Sequence, residues 1–391
     1  MNNVYLVGAC RTAVGSLSGT LAPFSGAQLG AMVIKETLKR AGVDAACVDE
    51  VVMGNVLQAG AGQSPARQMA ILANIPAEVP ATTINKVCGS SIHAVTMAYR
   101  YILSGEADCV IAGGAESMSN APMAVHGMRT GVKMGNQTMV DTMINDGLWD
   151  AFNNYHMGIT AENVAEKYSI TREMQDEFAV ASQTKAAAAV ATGAFKDEIV
   201  PVEIPQRKGD PIIFDTDEYI KPGTTLDKVA KLKPAFKKDG TVTAANASGI
   251  NDGAACVLVC SEKFVKEHNL KPMARIIATG SKGVDPSVMG LGPIPSVQAA
   301  YAKCGLTTND IDVFEANEAF AAQAIAVGRD LGIPAEKLNP KGGAIAIGHP
   351  IGASGCRILV TLLHELKAGQ KGVATLCIGG GMGEAVIVEK L

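Results

Sequence analysis

The chain has no cysteine pair at CxxC spacing and no HExxH segment. Its nine cysteines are odd in number and scattered. That pattern speaks against a structural zinc site and against a disulfide framework. Free thiols imply a reducing compartment, which we read as the cytoplasm. There is no P-loop, and the glycines of 59-AGAGQSP-65 lack the third glycine of a dinucleotide fingerprint. No apolar run reaches the roughly 18 residues of a membrane span. The opening MNNVYLVGAC lacks a basic signal region and reads as a strand, and the closing VEKL is not a peroxisomal address. Basic charge is not in excess: 34 Lys and Arg face 38 Asp and Glu, for a net charge of −4. That argues against nucleic acid as the main partner.

What is present is core and repetition. The 391 residues are 48% hydrophobic and 18% charged, enough for a sizeable interior in two or three domains. The stretch 38-LKRAGVDAACVDEVVMGN-55 reads as helix end, turn and strand, and 301-YAKCGLTTNDIDVFEAN-317 reads the same way. A second pair, 88-CGSSIHAVTMAYRYILSGEADCVIAGGAES-117 and 354-SGCRILVTLLHELKAGQKGVATLCIGGGMG-383, gives small-residue turn, helix, polar loop, apolar strand and glycine run. Each half opens on a strand, 4-VYLVGA-9 and 274-ARIIATG-280. These repeats predict two copies of one β/α unit. The fully apolar 109-CVIAGG-114 predicts a central strand buried on both faces. The middle, 119–249, matches neither half. It carries an amphipathic tract, 171-TREMQDEFAVASQTKAAAAVATGAF-195, with Thr171 as N-cap. The expected organisation is 1–118 with 250–270 as one half, an inserted domain at 119–249, and 271–391 as the second half.

The residues able to do chemistry lie at turns of the repeat. Cys88 sits between the β-rich run 81-ATTINKV-87 and a helix over 91–104, whose apolar positions Ile92, Val95, Tyr99 and Ile102 have helical spacing. A helix N-terminus behind a thiol favours the thiolate; the competing reading is an inert core cysteine. His349, in 347-IGHPIGASGCRI-358, is held by Pro350 and three glycines in a turn that the duplication sets opposite Cys88. Thiol and imidazole form a workable nucleophile and base. Cys377 precedes 379-GGGMG-383, where glycines can aim N–H groups at a developing oxyanion. Asn317 stands at a strand-to-helix junction and reads, taken alone, as an N-cap. Two thiols, an imidazole, an amide and a glycine nest suit acyl transfer without metal or organic cofactor.

The blocks 86-KVCGSS-91, 315-EANEAF-320, 347-IGHPIGASG-355 and 377-CIGGGMGEA-385 closely resemble those of thiolases. So do 113-GGAESMS-119, 155-YHMGITAENVA-165, 246-NASGINDGAA-255 and 289-MGLGPIP-295. The resemblance runs end to end and is nearest the short-chain biosynthetic branch, to which His156 points. It implies a thiolase-like α/β fold of five layers, αβαβα, made of two similar halves plus a loop domain. It implies reversible Claisen condensation of two acetyl-CoA to acetoacetyl-CoA and CoA, with both CoA species as substrates. Cys88 would be acetylated, His349 would activate it, and Cys377 would move the α-proton. Asn317, through a water, and His349 would form one oxyanion hole; the N–H groups of Cys88 and Gly379 would form the other. CoA contacts implied by the match are Leu148, His156, Met157, Phe236, Ala244, Ser248, Met289 and Phe320. Lys221 stands where the family's best-known pattern has arginine, which offers a phosphate charge but no stacking plane. The resemblance also implies a homotetramer assembled partly through 120–140, which carries His126, Arg129 and Lys133.

Three other readings compete. A degradative 3-ketoacyl-CoA thiolase would accept longer chains. A β-ketoacyl synthase acting on a carrier protein would lack the second thiol, so Cys377 opposes it. A lipid-binding relative with a decayed site should lack Cys88 or His349.

Overall fold

The computed structural model describes residues 3–391. Its main sheet has 11 strands. The principal ones are β1 (Val4–Thr12), β2 (Glu50–Gly54), β3 (Ala81–Ile84), β4 (Cys109–Ser117) and β5 (Asn251–Ser261), then β6 (Ala274–Gly283), β7 (Val313–Ala316), β8 (Lys371–Ile378) and β9 (Met382–Lys390). Across the sheet they run β7-β8-β9-β6-β1-β5-β4-β2-β3. In the first half β1 pairs β5 and β5 pairs β4 antiparallel, and β4 pairs β2 parallel. In the second half β6 pairs β9 and β9 pairs β8 antiparallel, and β8 pairs β7 parallel. The halves therefore repeat one pairing scheme. Among the described residues, the strands of the two halves pair with each other through Tyr5↔Arg275 and Leu6↔Ala274 on β1 and β6.

The principal helices are α1 (Gly26–Ala41), α2 (Ser90–Ser104), α3 (Met157–Lys167), α4 (Arg172–Ala191), α5 (Pro293–Cys304), α6 (Ala321–Leu331) and α7 (Ser354–Glu365). α1 and α5 are outer helices of the two halves, and each stops on a left-handed glycine, Gly42 at φ 67° and Gly305 at φ 73°. Only glycine enters that conformation without a Cβ penalty, which is why both repeats carry it. α2 and α7 pack together between the half-sheets. Their shared core takes Ile92, Val95 and Ile102 from α2 and Ile358, Leu359 and Leu362 from α7, with strand residues of both halves. α7 is buried on all sides from Ser354 to Leu363, as a central-layer helix must be. Separate apolar clusters lie beneath α1 and beneath α5 with α6. The result is the five-layered αβαβα body. β4 and β5 are buried along their whole lengths, because helices cover both faces.

Within 119–249 lie α3, α4 and three small two-stranded sheets. Thr171 caps α4, accepting from Met174 N. Two sequence expectations change. The strand before Cys88 ends at Ile84 rather than running to 87. Val87 turns to φ 47°, outside the β region, and that breaks the ladder. Asn317 is not a cap, because Phe320 is the N-cap of α6.

Candidate active site

Cys88 sits on a tight elbow between β3 and α2. Gly89 N donates to Lys86 O at 3.0 Å, and Ser90 N donates to Val87 O at 3.1 Å. The Ser90 hydroxyl also donates to Val87 O at 2.6 Å and accepts from Lys86 N at 2.9 Å. These bonds hold Val87 at positive φ, a rare state for a β-branched residue. Gly89 must lack a side chain, since a Cβ there would strike Ile378 of β8. The elbow of the first half thus closes directly on the residue after Cys377.

The Cys88 thiol is half-buried at the surface of a cavity yet closely surrounded by protein. Burial pushes its pKa up to about 11, while the N–H groups of Gly379 and of Cys88 itself pull it down. This corrects the expectation of a thiolate favoured by the helix end. Desolvation outweighs the N–H donors, so near neutral pH Cys88 is a thiol and needs a base.

His349 supplies one. Its N–H donates to Asn251 Oδ1 at 2.9 Å, and Asn251 Nδ2 donates to Gly15 O at 3.0 Å. Its Nδ1 lies 2.6 Å from Ser354 Oγ, and the Ser354 hydroxyl donates to Pro350 O at 2.9 Å. When the serine proton goes to Pro350 O, Ser354 Oγ accepts from Nδ1, and the ring proton sits on that nitrogen. Nε2 is then the free lone pair, buried and without a partner among the described residues. Burial, and secondarily the Arg357 guanidinium, lower the His349 pKa to about 3. The ring is neutral and basic at Nε2.

Cys377 is the penultimate residue of β8 and packs among Met157, Ala161, Val242, Met289, Ala319 and Phe320. Burial first, and neighbouring Cys88 next, hold its thiol well above the ordinary range. Gly380 and Gly381 turn the chain back at φ 85° and 83°. Gly379 thereby faces Cys88, close enough that a Cβ on it would meet Val87 Cγ1 at 3.2 Å.

One apolar cavity is lined by Cys88, His349, Gly379, Leu148, His156, Met157, Phe236, Ser248, Met289 and Phe320. His156 caps α3, its Nδ1 accepting from Gly158 N at 3.0 Å. Its ring stacks on Phe236 at 4.5 Å between centroids, and Phe236 meets Phe320 edge-on at 6.3 Å. The wall is aromatic and largely apolar, and Ser248 supplies its hydroxyl. Lys221 and Ala244 do not line this cavity. They lie in a second depression with Tyr219, Thr224 and Lys228, where Lys221 Nζ sits 4.7 Å over the Tyr219 ring. The loop 244–249 joins the two, with Ala244 and Ala245 in the outer depression and Ala247, Ser248 and Gly249 in the inner one. Asn317 is buried beside the end of β8, its N–H on Thr375 O at 2.9 Å, and its side-chain amide has no protein partner.

Several contributors escaped the sequence reading. Ser354 and Asn251 fix His349, and nothing in their spacing announces it. Glu116 accepts from Val56 N, Leu57 N and Gly352 N at 3.0, 3.2 and 2.9 Å, pinning the turn beyond His349 to the end of β2. Burial lifts the Glu116 carboxyl to about 7.

A duplicated αβαβα body with two thiols and a neutral imidazole at the meeting of its halves has the ingredients of acyl transfer through a cysteine. The chain belongs to the thiolase family: the N-terminal thiolase domain matches residues 4–263 and the C-terminal thiolase domain matches 270–390. It is 59% identical over 392 residues to the acetyl-CoA acetyltransferase of Cupriavidus necator, covering all of both chains. It is 56% identical over 392 residues to the protein of the same name from Pseudomonas aeruginosa, again with full coverage of both. Among solved structures it matches the acetyl-CoA acetyltransferase of Bacillus anthracis with a TM-score of 0.97 and 42% identity, over 100% of this chain and 99% of that one. Human mitochondrial 3-ketoacyl-CoA thiolase matches with a TM-score of 0.96 and 43% identity, over 100% and 99%.

Proposed function

We propose that this thiolase is an acetyl-CoA C-acetyltransferase, catalysing the reversible condensation of two acetyl-CoA to acetoacetyl-CoA and CoA. The single observation that carries the reading is full-length identity of 55–59% to acetyl-CoA acetyltransferases of several bacteria. The site geometry supports a two-stage course. Cys88 Sγ attacks the acetyl carbonyl while its proton passes to His349 Nε2. The C–S bond to CoA breaks, and the departing sulfur takes that proton. Acetyl-Cys88 remains. Cys377 gives its proton to His349 Nε2 and, as thiolate, removes an α-proton from a second acetyl-CoA. The resulting carbon attacks the acetyl carbonyl, the Cys88 sulfur leaves, and it takes the proton held on His349, which restores both thiols and the neutral ring. The N–H groups of Cys88 and Gly379 face the acetyl-Cys88 carbonyl oxygen. Asn317, through a water its unpaired amide can hold, and His349 stabilise the thioester oxygen of the incoming acetyl-CoA.

CoA would pass along the 244–249 loop, with its phosphates near Lys221 and Lys228. The scheme uses protein groups and one water, and requires no metal or organic cofactor. Among the described residues no helix is long and apolar enough to cross a membrane, and we assign the enzyme to the cytoplasm. We also assign a homotetramer. The hairpin of Met123–Val125 with Met139–Asp141 exposes Met123, Met128, Met134 and Met139, and such a patch favours burial against another copy.

Thiolysis of acetoacetyl-CoA by CoA, run beside a ten-carbon 3-ketoacyl-CoA, tests the reading. Rapid cleavage of the short substrate alone is expected. Equal or faster cleavage of the long one would place the enzyme in the degradative branch.

A further inference from the structure

Lys86 lies two residues before Cys88, and the course above gives it no part. Its Nζ donates to Glu384 Oε2 at 2.6 Å and to Ser281 Oγ at 2.8 Å. His93, one turn into α2 on the other side of Cys88, places Nδ1 3.0 Å from both oxygens of the same carboxylate. Lys86 Nζ and His93 Nδ1 are 3.3 Å apart. Both are donors here, and the carboxylate between them accounts for their proximity.

Glu384 belongs to the other half. It stands on β9 opposite Ser281 of β6 and opposite Leu376 of β8. Its neighbour Gly383 pairs with Cys377. One carboxylate therefore grips both flanks of the Cys88 elbow and is rooted one residue from the strand pair that carries Cys377. The Glu384 side chain is fully buried, whereas Lys86 and His93 are 17% and 21% exposed. A buried carboxylate holding two charge-assisted or polar donors is costly to disturb and geometrically exacting.

The elbow requires such a hold. Val87, between Lys86 and Cys88, sits at φ 47°. A β-branched residue in that region is strained and stays there only where its surroundings fix it. The Ser90 hydroxyl fixes it from within the elbow. The packing of Gly89 on Ile378 limits how closely the elbow approaches β8, and the carboxylate of Glu384 ties it there.

We propose that Lys86, His93 and Glu384 are positioning residues that act as one unit, fixing the Cys88 elbow at its working distance from the Cys377 strand. They touch neither substrate nor the reacting atoms. The inference rests on Cys88 being the nucleophile.

The test is a double-mutant cycle with Lys86→Met, Glu384→Leu and their combination. The quantity read is the single-turnover rate constant for acetyl transfer from acetyl-CoA to Cys88, measured by rapid quench and peptide mass spectrometry. CoA affinity and thermal midpoint are recorded for each protein. Each single change is expected to slow acetyl transfer by about tenfold or more while CoA affinity stays within about twofold. The combined change is expected to be no slower than the worse single one, because both break the same unit. Lys86→Arg, which keeps a donor, should recover most of the rate. Lys86→Met leaves Glu384 its His93 partner, so a folded protein is available even where Glu384→Leu is not, and Glu384→Gln then completes the cycle. A lowered midpoint with a normal acetylation rate would reduce the cluster to a stabilising role and overturn the proposal. Multiplicative losses in the double variant would overturn the claim that the residues act together. Absence of acetyl-Cys88 in the unmodified enzyme is a separate result, and it would remove the nucleophile assignment and this inference with it.

Discussion

Ser354 Oγ stands 2.6 Å from His349 Nδ1 and donates its own proton to Pro350 O at 2.9 Å. That pair of contacts decides which imidazole nitrogen faces the cavity with a lone pair. Ser354→Ala removes the acceptor for Nδ1–H and lets the ring change tautomer. Acetyl transfer to Cys88 is expected to fall by about tenfold to a hundredfold, or ~1.4–2.7 kcal/mol in barrier, with CoA affinity little changed. Single-turnover acetylation measures this. An unaltered rate would mean that Asn251 and the backbone alone orient the ring.

The pH behaviour follows from two opposed shifts. Burial takes His349 down to about 3 and Cys88 up to about 11. Thiol with neutral imidazole is therefore the dominant form across the physiological range. The acetylation rate should show no ionisation near 6.5, the ordinary histidine value, and should hold from pH 8 down to pH 5. A loss centred near 6.5 would show that His349 titrates normally. Stability carries the same signature. The folded pKa of His349 lies below its unfolded value, so below about 6.5 the unfolded chain binds a proton that the folded chain refuses, and stability falls toward pH 3. Denaturant titrations at pH 7 and pH 4.5 should show a smaller loss for His349→Asn than for the unmodified enzyme.

Gly89 is expected to reject alanine. The added methyl meets Ile378 Cδ1, and overpacking of this kind costs about 1–3 kcal/mol. The collision pushes apart the two thiol-bearing segments, so turnover should fall further than stability alone explains. Ile378→Val removes the offending methyl. The double variant should regain part of the stability and rate, since Cγ1 of residue 378 remains close to the added methyl, as read by urea midpoint and acetoacetyl-CoA thiolysis. If the second change restores nothing, the contact is not the cause.

The sequence made the body legible because repeats record topology. Gly42 and Gly305 mark the same left-handed stop after equivalent helices, and the apolar runs of β4 and β5 mark strands covered on both faces. Cys88, His349, Cys377 and Gly379 were visible because small residues and turns flank them. The orienting groups were not. Asn251 reaches His349 across 98 residues of chain and Glu116 reaches Gly352 across 236, and periodicity carries no signal at such separations. The helix end does not make Cys88 a thiolate, for a related reason. Burial depends on everything packed around the sulfur, and it outweighs a local N–H donor. Asn317 reads locally as a cap, but α6 begins only after Phe320, which takes the N-cap position.

The measurement that bears most directly on the central claim is the site of acetylation. The unmodified enzyme, Cys88→Ala and Cys377→Ala are each exposed briefly to acetyl-CoA, quenched in acid and digested for mass spectrometry, with condensation followed in parallel. The account predicts an acetyl group on Cys88 in the first and third proteins and none in Cys88→Ala. It predicts that Cys377→Ala accumulates acetyl-Cys88 while condensing very slowly. Turnover by Cys88→Ala near the normal rate, or an acetyl group carried on Cys377 instead, would contradict it.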